Sequence, residues 1–236
     1  MTLDPDDMLS APDSLENVVD IIKKYDIDIV QFNFMTGDLD NIYKYIFLHN
    51  ENELRVIRQP ELSYISYYSN YPEMSFKKSI VSIIDKVIRR EILLKVVEIL
   101  REYLPFGNWN YFEDTTISYL VMKYAETYIY TNKLSYFYFV TGESLWSGKN
   151  NKKGEMILKS CLLFSKVLFK NTSNKIEDKK IAFYEWRQCH EFWHSRQFLK
   201  GKYKDEYINI GNIFLESKYL TDEERKKIEK IIKIYS

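Results

Sequence analysis

Several groups of residues in this 236-residue chain have types and spacings that could do chemistry. The first is Asp4-Pro5-Asp6-Asp7. Carboxylates at i and i+2 on an extended or turning backbone can converge on one hard divalent cation, and Pro5 stiffens the turn between them. Mg²⁺ or Mn²⁺ held this way keeps coordination positions open for phosphate oxygens. The plainer alternative is a solvated, Asp-rich turn capping the helix that follows. The second group, Glu113-Asp114, opens an amphipathic helix behind the aromatic run Asn108-Trp109-Asn110-Tyr111-Phe112. Acids there complement the helix dipole. An acid presented on rigid structure from an aromatic-lined cleft can also act as a general base. The third group, Asp85-Lys86-Val87-Ile88-Arg89-Arg90-Glu91, gathers cations near a turn. Lys86, Arg89 and Arg90 could hold phosphate or an anionic acceptor; surface charge is their simpler role.

A fourth pattern, His190-Glu191-Phe192-Trp193-His194, matches H-E-x-x-H. On a helix, His190 and His194 share one face and could bind zinc while Glu191 activates water, as in a zinc metallopeptidase. Against this, Arg196 follows where zinc-protease helices stay apolar. The competing reading is a helix that buries Trp186, Phe192, Trp193 and Phe198.

The elements that must position these groups fall into two parts. From residue 1 to 148 helical and extended patterns alternate, which predicts an α/β region. Ser10 to Tyr25 reads as a helix with Leu15, Val18, Val19 and Ile22 on one face. Asp28–Phe34 is short, β-branched and aromatic, and reads as a strand. Glu91 to Glu102 looks helical, and so does Glu113 to Tyr128 with its stripe of Ile117, Leu120, Val121, Tyr124 and Tyr128. Thr127–Thr131 and Lys133–Val140 look extended. A polar segment bounded by Gly148 and Gly154 then marks a boundary loop. Residues 149–236 read as helices at about 155–170, 177–199, 203–217 and 222–235, the last opened by a capping box of Thr221 and Glu224. The amphipathic stretch Met156–Phe169, with Lys159, Lys166 and Lys170, either packs internally or makes a peripheral membrane contact.

Composition narrows the class. Lys plus Arg (34) equal Asp plus Glu (34), which argues against a nucleic-acid binder held by bulk charge. Two cysteines, Cys161 and Cys189, exclude a disulfide scaffold and suit reduced cytoplasmic thiols. The first residues lack the basic end and apolar run of a signal peptide, and no uncharged stretch is long enough to cross a bilayer.

The ordered set of motifs resembles glycosyltransferase family 2. The matching text is Leu3-Asp4-Pro5-Asp6-Asp7-Met8-Leu9, then Asp85 to Leu93, then Tyr111-Phe112-Glu113-Asp114, then Asn132-Lys133-Leu134-Ser135-Tyr136-Phe137-Tyr138 with Ser144 beyond. The resemblance spans roughly Met1 to Trp146. It implies a GT-A fold, here a partial GT-A-like sheet with flanking helices and an α-helical C-terminal extension. It implies metal-dependent, inverting transfer of a sugar from a nucleotide-sugar donor to a glycan or lipid-linked acceptor, in bacterial surface polysaccharide synthesis. Asp4 and Asp6 would be the DxD pair that holds Mn²⁺ or Mg²⁺ against the donor diphosphate, with Asp7 beside them. Asp114 would take the acceptor proton, and Glu113 would orient that region. Only Met1, Thr2 and Leu3 precede the first acid, whereas family members carry further β-α-β units that grip the nucleotide. The expectation is therefore a chain that binds donor weakly unaided. A non-catalytic remnant or interaction module that keeps the acceptor half of the fold is the alternative from another class.

Overall fold

A computed structural model of the chain describes residues 8–38, 42–46, 56–59, 62, 83, 85–103, 113–139, 153–171, 186–187, 190–191, 198–216 and 220–236. The chain divides into two compact units. One comprises Met1–Ile99 and Ile117–Gly148, the other Leu100–Thr116 and Lys149–Ser236.

The first unit is built on a six-stranded mixed sheet. Its centre is a parallel pair, β2 (Ile29–Gly37) and β6 (Thr127–Phe139). Both central strands carry short antiparallel partners along their outer edges. Along β2 these are β5 (Lys86–Ile88) beside the first half and β3 (Ile42–Ile46) beside the second. Along β6 they are β4 (Val56–Arg58) beside the first half and β1 (Met8–Leu9) beside the second. Eight of the first nine strand positions from Ile29 onward are apolar, β-branched or amide-bearing, and the strand is buried nearly throughout, as a central strand must be.

Alternation gives the pair two unlike faces. Val30 and Phe32 of β2, with Ile129 and Tyr136 of β6, form an apolar cluster with Val18 and Ile21 of α1 (Ser14–Tyr25). Gln31 and Asn33 point the other way. The helix meets the sheet in a different phase from the one its sequence suggests. Val18, Ile21, Ile22 and Tyr25 pack on the strands, while Leu15 and Val19 are 46% and 40% exposed. The apolar arc of α1 is wider than the strip of helix the sheet can cover, so spacing alone could not choose which half is buried. The helix ends at Asp26, whose φ of 50° lies in the left-handed region that Asp tolerates better than most residues.

Two further helices, α2 (Arg90–Arg101) and α3 (Glu113–Tyr124), contain the division points between the units. In α3, Thr116, Ser118, Tyr119, Leu120, Val121 and Met122 are all buried, so it is enclosed on more than one side. It stops at Tyr124 rather than continuing to Tyr128, because Thr127-Tyr128-Ile129-Tyr130 is better suited to a strand. The Gln59 amide donates to the carbonyls of Met122 and Ala125 at 2.9 Å each, satisfying the last turn.

The second unit is helical: α4 (Lys153–Asn171), α5 (Lys202–Leu215) and α6 (Asp222–Tyr235). The apolar side of α4 is buried through Ile157, Leu158, Cys161, Leu162, Phe164 and Val167. Its lysines Lys159, Lys166 and Lys170 pair with Glu155, Glu206 and Glu102. The stripe considered for a membrane surface is thus core, and its cations are matched by carboxylates. No helix among the described residues is long and apolar enough to cross a membrane. The capping box of Thr221 and Glu224 opens α6 as the sequence predicts. Trp186, fully buried, stacks on Tyr207 with ring centres 4.5 Å apart and donates its indole N–H to the Tyr207 carbonyl at 2.9 Å. Gly211 allows this approach, since a Cβ there would lie 2.7 Å from Trp186 Cζ2 and 3.0 Å from Ile232 Cδ1.

Gly211→Ala therefore sets a helix-propensity gain of about 1 kcal/mol against overpacking of about 1–3 kcal/mol. The expected result in urea unfolding is a net loss of about 1 kcal/mol; a gain would mean that Trp186 moves freely.

Candidate functional site

In open α/β sheets, ligands collect where parallel strands end at their carboxyl termini. That end of the first unit is formed by Met35 to Gly37 of β2 and Phe137 to Phe139 of β6. Met8 of β1 stands opposite Phe137, and Ile42 of β3 opposite Gly37. Because β1 runs antiparallel to β6, the chain enters it from the carboxyl side of the pair. Met8 is half exposed there, and Phe137 and Phe139 pack with ring centres 5.7 Å apart. Asp4, Asp6 and Asp7, which precede Met8 in sequence, lie outside the described residues.

The parallel pair is irregular just below this end. Between the pairs Phe32–Thr131 and Phe34–Tyr136, β2 advances by two residues while β6 advances by five. The extra residues form a bulge, a feature common at rims and beside active sites. The two stretches expected to be extended, 127–131 and 133–140, are one strand that runs across this bulge.

The opposite, amino end is closed by a clamp that the motifs did not announce. Asp26-Ile27-Asp28 is a second Asp-x-Asp, and Arg89 bridges it, with Nη2 2.7 Å from Asp26 Oδ1 and Nε 2.8 Å from Asp28 Oδ1. Asp28 Oδ2 also accepts from the backbone N–H of Glu126 at 2.8 Å and of Thr127 at 3.2 Å. The Asp28 N–H donates to Thr127 Oγ1 at 2.9 Å. The hydrogen bond to Asp26 holds Arg89 still more firmly protonated than usual. These carboxylates hold the starts of β2 and β6 together, and Arg89, considered above as an anion ligand, is committed to them.

Lys86 departs furthest from expectation. It is fully buried rather than part of a wet surface, and its ammonium lies 2.8 Å from Asp85 Oδ1. Asp85 Oδ2 accepts from Gln31 Nε2 at 2.6 Å, and the Tyr128 hydroxyl donates to Gln31 Oε1 at 2.5 Å. One step along, the Tyr130 hydroxyl donates to Asn33 Oδ1. Burial, and then the nearby Asp85 carboxylate, push the Tyr128 hydroxyl well above its ordinary pKa. The sequence signal was present in Gln31 and Asn33, two amides within an apolar strand, opposite a Tyr-x-Tyr. Arg90 is exposed, as a surface cation should be.

Asp114 is half-buried in the first turn of α3 and belongs by sequence to the second unit. Glu113 opens the helix, and its side chain lies outside the described residues. In the H-E-x-x-H stretch, His190 Nδ1 is 2.7 Å from the Tyr235 hydroxyl and Glu191 pairs with Arg187 at 2.8 Å. His194 lies outside the described residues. Among the described residues no group of three His, Cys, Asp or Glu is placed to hold a metal ion. An apolar cavity of about 240 Å³ in the second unit, lined by Tyr103, Lys166, Lys170, Ile210 and Ile213, is smaller than the pockets that usually enclose organic ligands.

If the Asp28 clamp anchors the two central strands, Asp28→Ala leaves two backbone N–H groups and Arg89 short of a partner. The expected cost is about 2–3 kcal/mol in chemical denaturation. A loss under about 0.5 kcal/mol would show that the clamp is ornamental surface chemistry.

No family model matches the chain, and no curated protein does. Among solved structures it is similar to S. aureus TarS (residues 1–349), solved in complex with UDP-GlcNAc, at 14% identity and a TM-score of 0.52. The likeness covers 98% of this chain, and the chain spans 58% of that one. The sheet, its flanking helices and the helical C-terminal part thus make a GT-A-like, glycosyltransferase-like fold.

Proposed function

We propose that the chain takes part in transferring a sugar from a nucleotide-sugar donor to a glycan or lipid-linked acceptor, in the manner of family 2 glycosyltransferases. The observation that carries this reading is the likeness of nearly the whole chain to TarS, whose solved complex holds UDP-GlcNAc. The motif order in the sequence supports it independently, because the acid cluster directly precedes Met8 at the carboxyl end of β2 and β6.

In this reading the carboxylates of Asp4 and Asp6 hold Mg²⁺ or Mn²⁺, whose chemistry is to offset charge on the departing nucleoside diphosphate. Hard oxygen ligands suit either ion. Asp114 accepts the proton from the acceptor hydroxyl as that oxygen bonds to the anomeric carbon. The bond from that carbon to the diphosphate breaks on the opposite face, which inverts the configuration. Bacterial surface polysaccharide synthesis is the setting that the family resemblance suggests.

The suitable assay is protein-observed NMR with UDP-GlcNAc at millimolar concentration. Adding Mn²⁺ should broaden the amides near Met8 and Phe137, and Asp4→Asn with Asp6→Asn should remove the effect. Broadening that is absent, or unaltered by these substitutions, would end the donor reading. Where turnover is detected, Asp114→Asn should lower it about a hundredfold or more while sparing donor-induced shifts. Unchanged turnover would remove Asp114 from the chemistry.

A further inference from the structure

Burying an ammonium and a carboxylate together costs several kcal/mol per ion before their attraction repays it, so such a pair is a poor way to gain stability. Lys86 and Asp85 are 0% and 1% exposed, and both lie inside the first unit. The best-attested use of such groups is to fix register, because a slipped arrangement leaves them buried without partners. Register is what β2 and β6 have at risk. Just past Phe32 the two strands lose step, and the pairing resumes in a new register at Phe34 and Tyr136.

The polar groups stand immediately before that break. Lys86 pairs in register with Gln31 on the neighbouring strand, and the Asp85 carbonyl accepts from the Phe32 N–H at 3.0 Å. Lys86 occupies Asp85 Oδ1 and leaves Oδ2 for Gln31 Nε2. That donation turns Gln31 Oε1 to receive the Tyr128 hydroxyl. The next rung, Tyr130 to Asn33, repeats the same diagonal reach from β6 to β2. Sliding β6 by one residue would move both hydroxyls to the apolar face that packs on α1. Gln31 Oε1 and Asn33 Oδ1 would then lose the hydroxyls they accept from.

We propose that Lys86 is a positioning residue. Through Asp85, Gln31 and Tyr128 it locks the register of the parallel pair below the bulge, and so holds the carboxyl ends of β2 and β6 in the single arrangement a donor site there requires. The site itself rests on the function proposed above; the lock does not.

The test compares wild type with Lys86→Met and Tyr128→Phe. The second deletes one hydroxyl and keeps the ring, so it remains informative if the first does not fold. Native-state amide exchange is read at Met35, Thr36 and Tyr138, beyond the bulge, and at Val18 and Ile21 of α1. A lock predicts that exchange beyond the bulge quickens by about tenfold more than exchange in α1, since local opening there has become easier. Equal acceleration at both places, or none, overturns the lock and leaves the network as ordinary core. The second reading is UDP-GlcNAc titration by NMR at a temperature where each variant is folded. Selective loosening together with weaker donor binding supports the positioning role, and loosening with undiminished binding overturns it. Absence of donor shifts in wild type as well would count against the proposed function, while the exchange data still decide the lock.

Discussion

The parallel pairing of β2 with β6 is the constraint on which the first unit depends. Neither strand can find the other locally: the hydrogen bond from the Asp28 N–H to Thr127 Oγ1 spans 99 positions in the chain. A parallel pair needs a long crossover, and its loop-closure cost must be met by contacts that form together. Three kinds of contact do so. The Asp28 and Arg89 clamp joins the strand starts, the cluster around Phe32 and Tyr136 seals one face against α1, and a polar ladder ties the other face. The four short partner strands then add to edges that already exist.

This arrangement separates the two ends of the pair by chemistry. At the amino end, one guanidinium bridges both carboxylates of an Asp-x-Asp, and two backbone amides donate to Asp28 as well. At the carboxyl end the strands finish in Met35, Gly37 and aromatic side chains, with the half-exposed Met8 alongside. Of the three Asp-x-Asp sequences in the chain, at residues 4–6, 26–28 and 38–40, the one at residues 26–28 carries the Arg89 bridge. Asp4-Pro5-Asp6 is the one proposed above to hold the metal ion.

The local elements were legible in the sequence because each rests on short-range rules. The β-branched run of β2, the helix of α1 and the capping box of Thr221 with Glu224 all announce themselves within a few residues. What could not be read required knowing what lies opposite. The phase of α1 depended on which half of its apolar arc the sheet would cover, so Leu15 and Val19 emerged exposed. Lys86 looked like surface because a charged residue in a charged heptapeptide usually is; inside, it pairs with Asp85, which in turn accepts from Gln31 of the neighbouring strand. The stripe on α4 had the spacing of a membrane-resting helix and the same spacing as a core helix, and periodicity alone cannot tell these apart. The candidate site was legible in part. Motif order pointed to the GT-A-like fold that the likeness to TarS shows. The acids themselves, Asp4, Asp6 and Asp7, remain assigned by sequence.

The most direct test of the account is to locate manganese by anomalous diffraction in crystals grown with UDP-GlcNAc and Mn²⁺. The account predicts one ordered ion on the Asp4 and Asp6 carboxylates, at the carboxyl end of β2 and β6, with the donor diphosphate against it. An ion bound instead at Asp26 and Asp28, or donor density away from that end of the sheet, would contradict it.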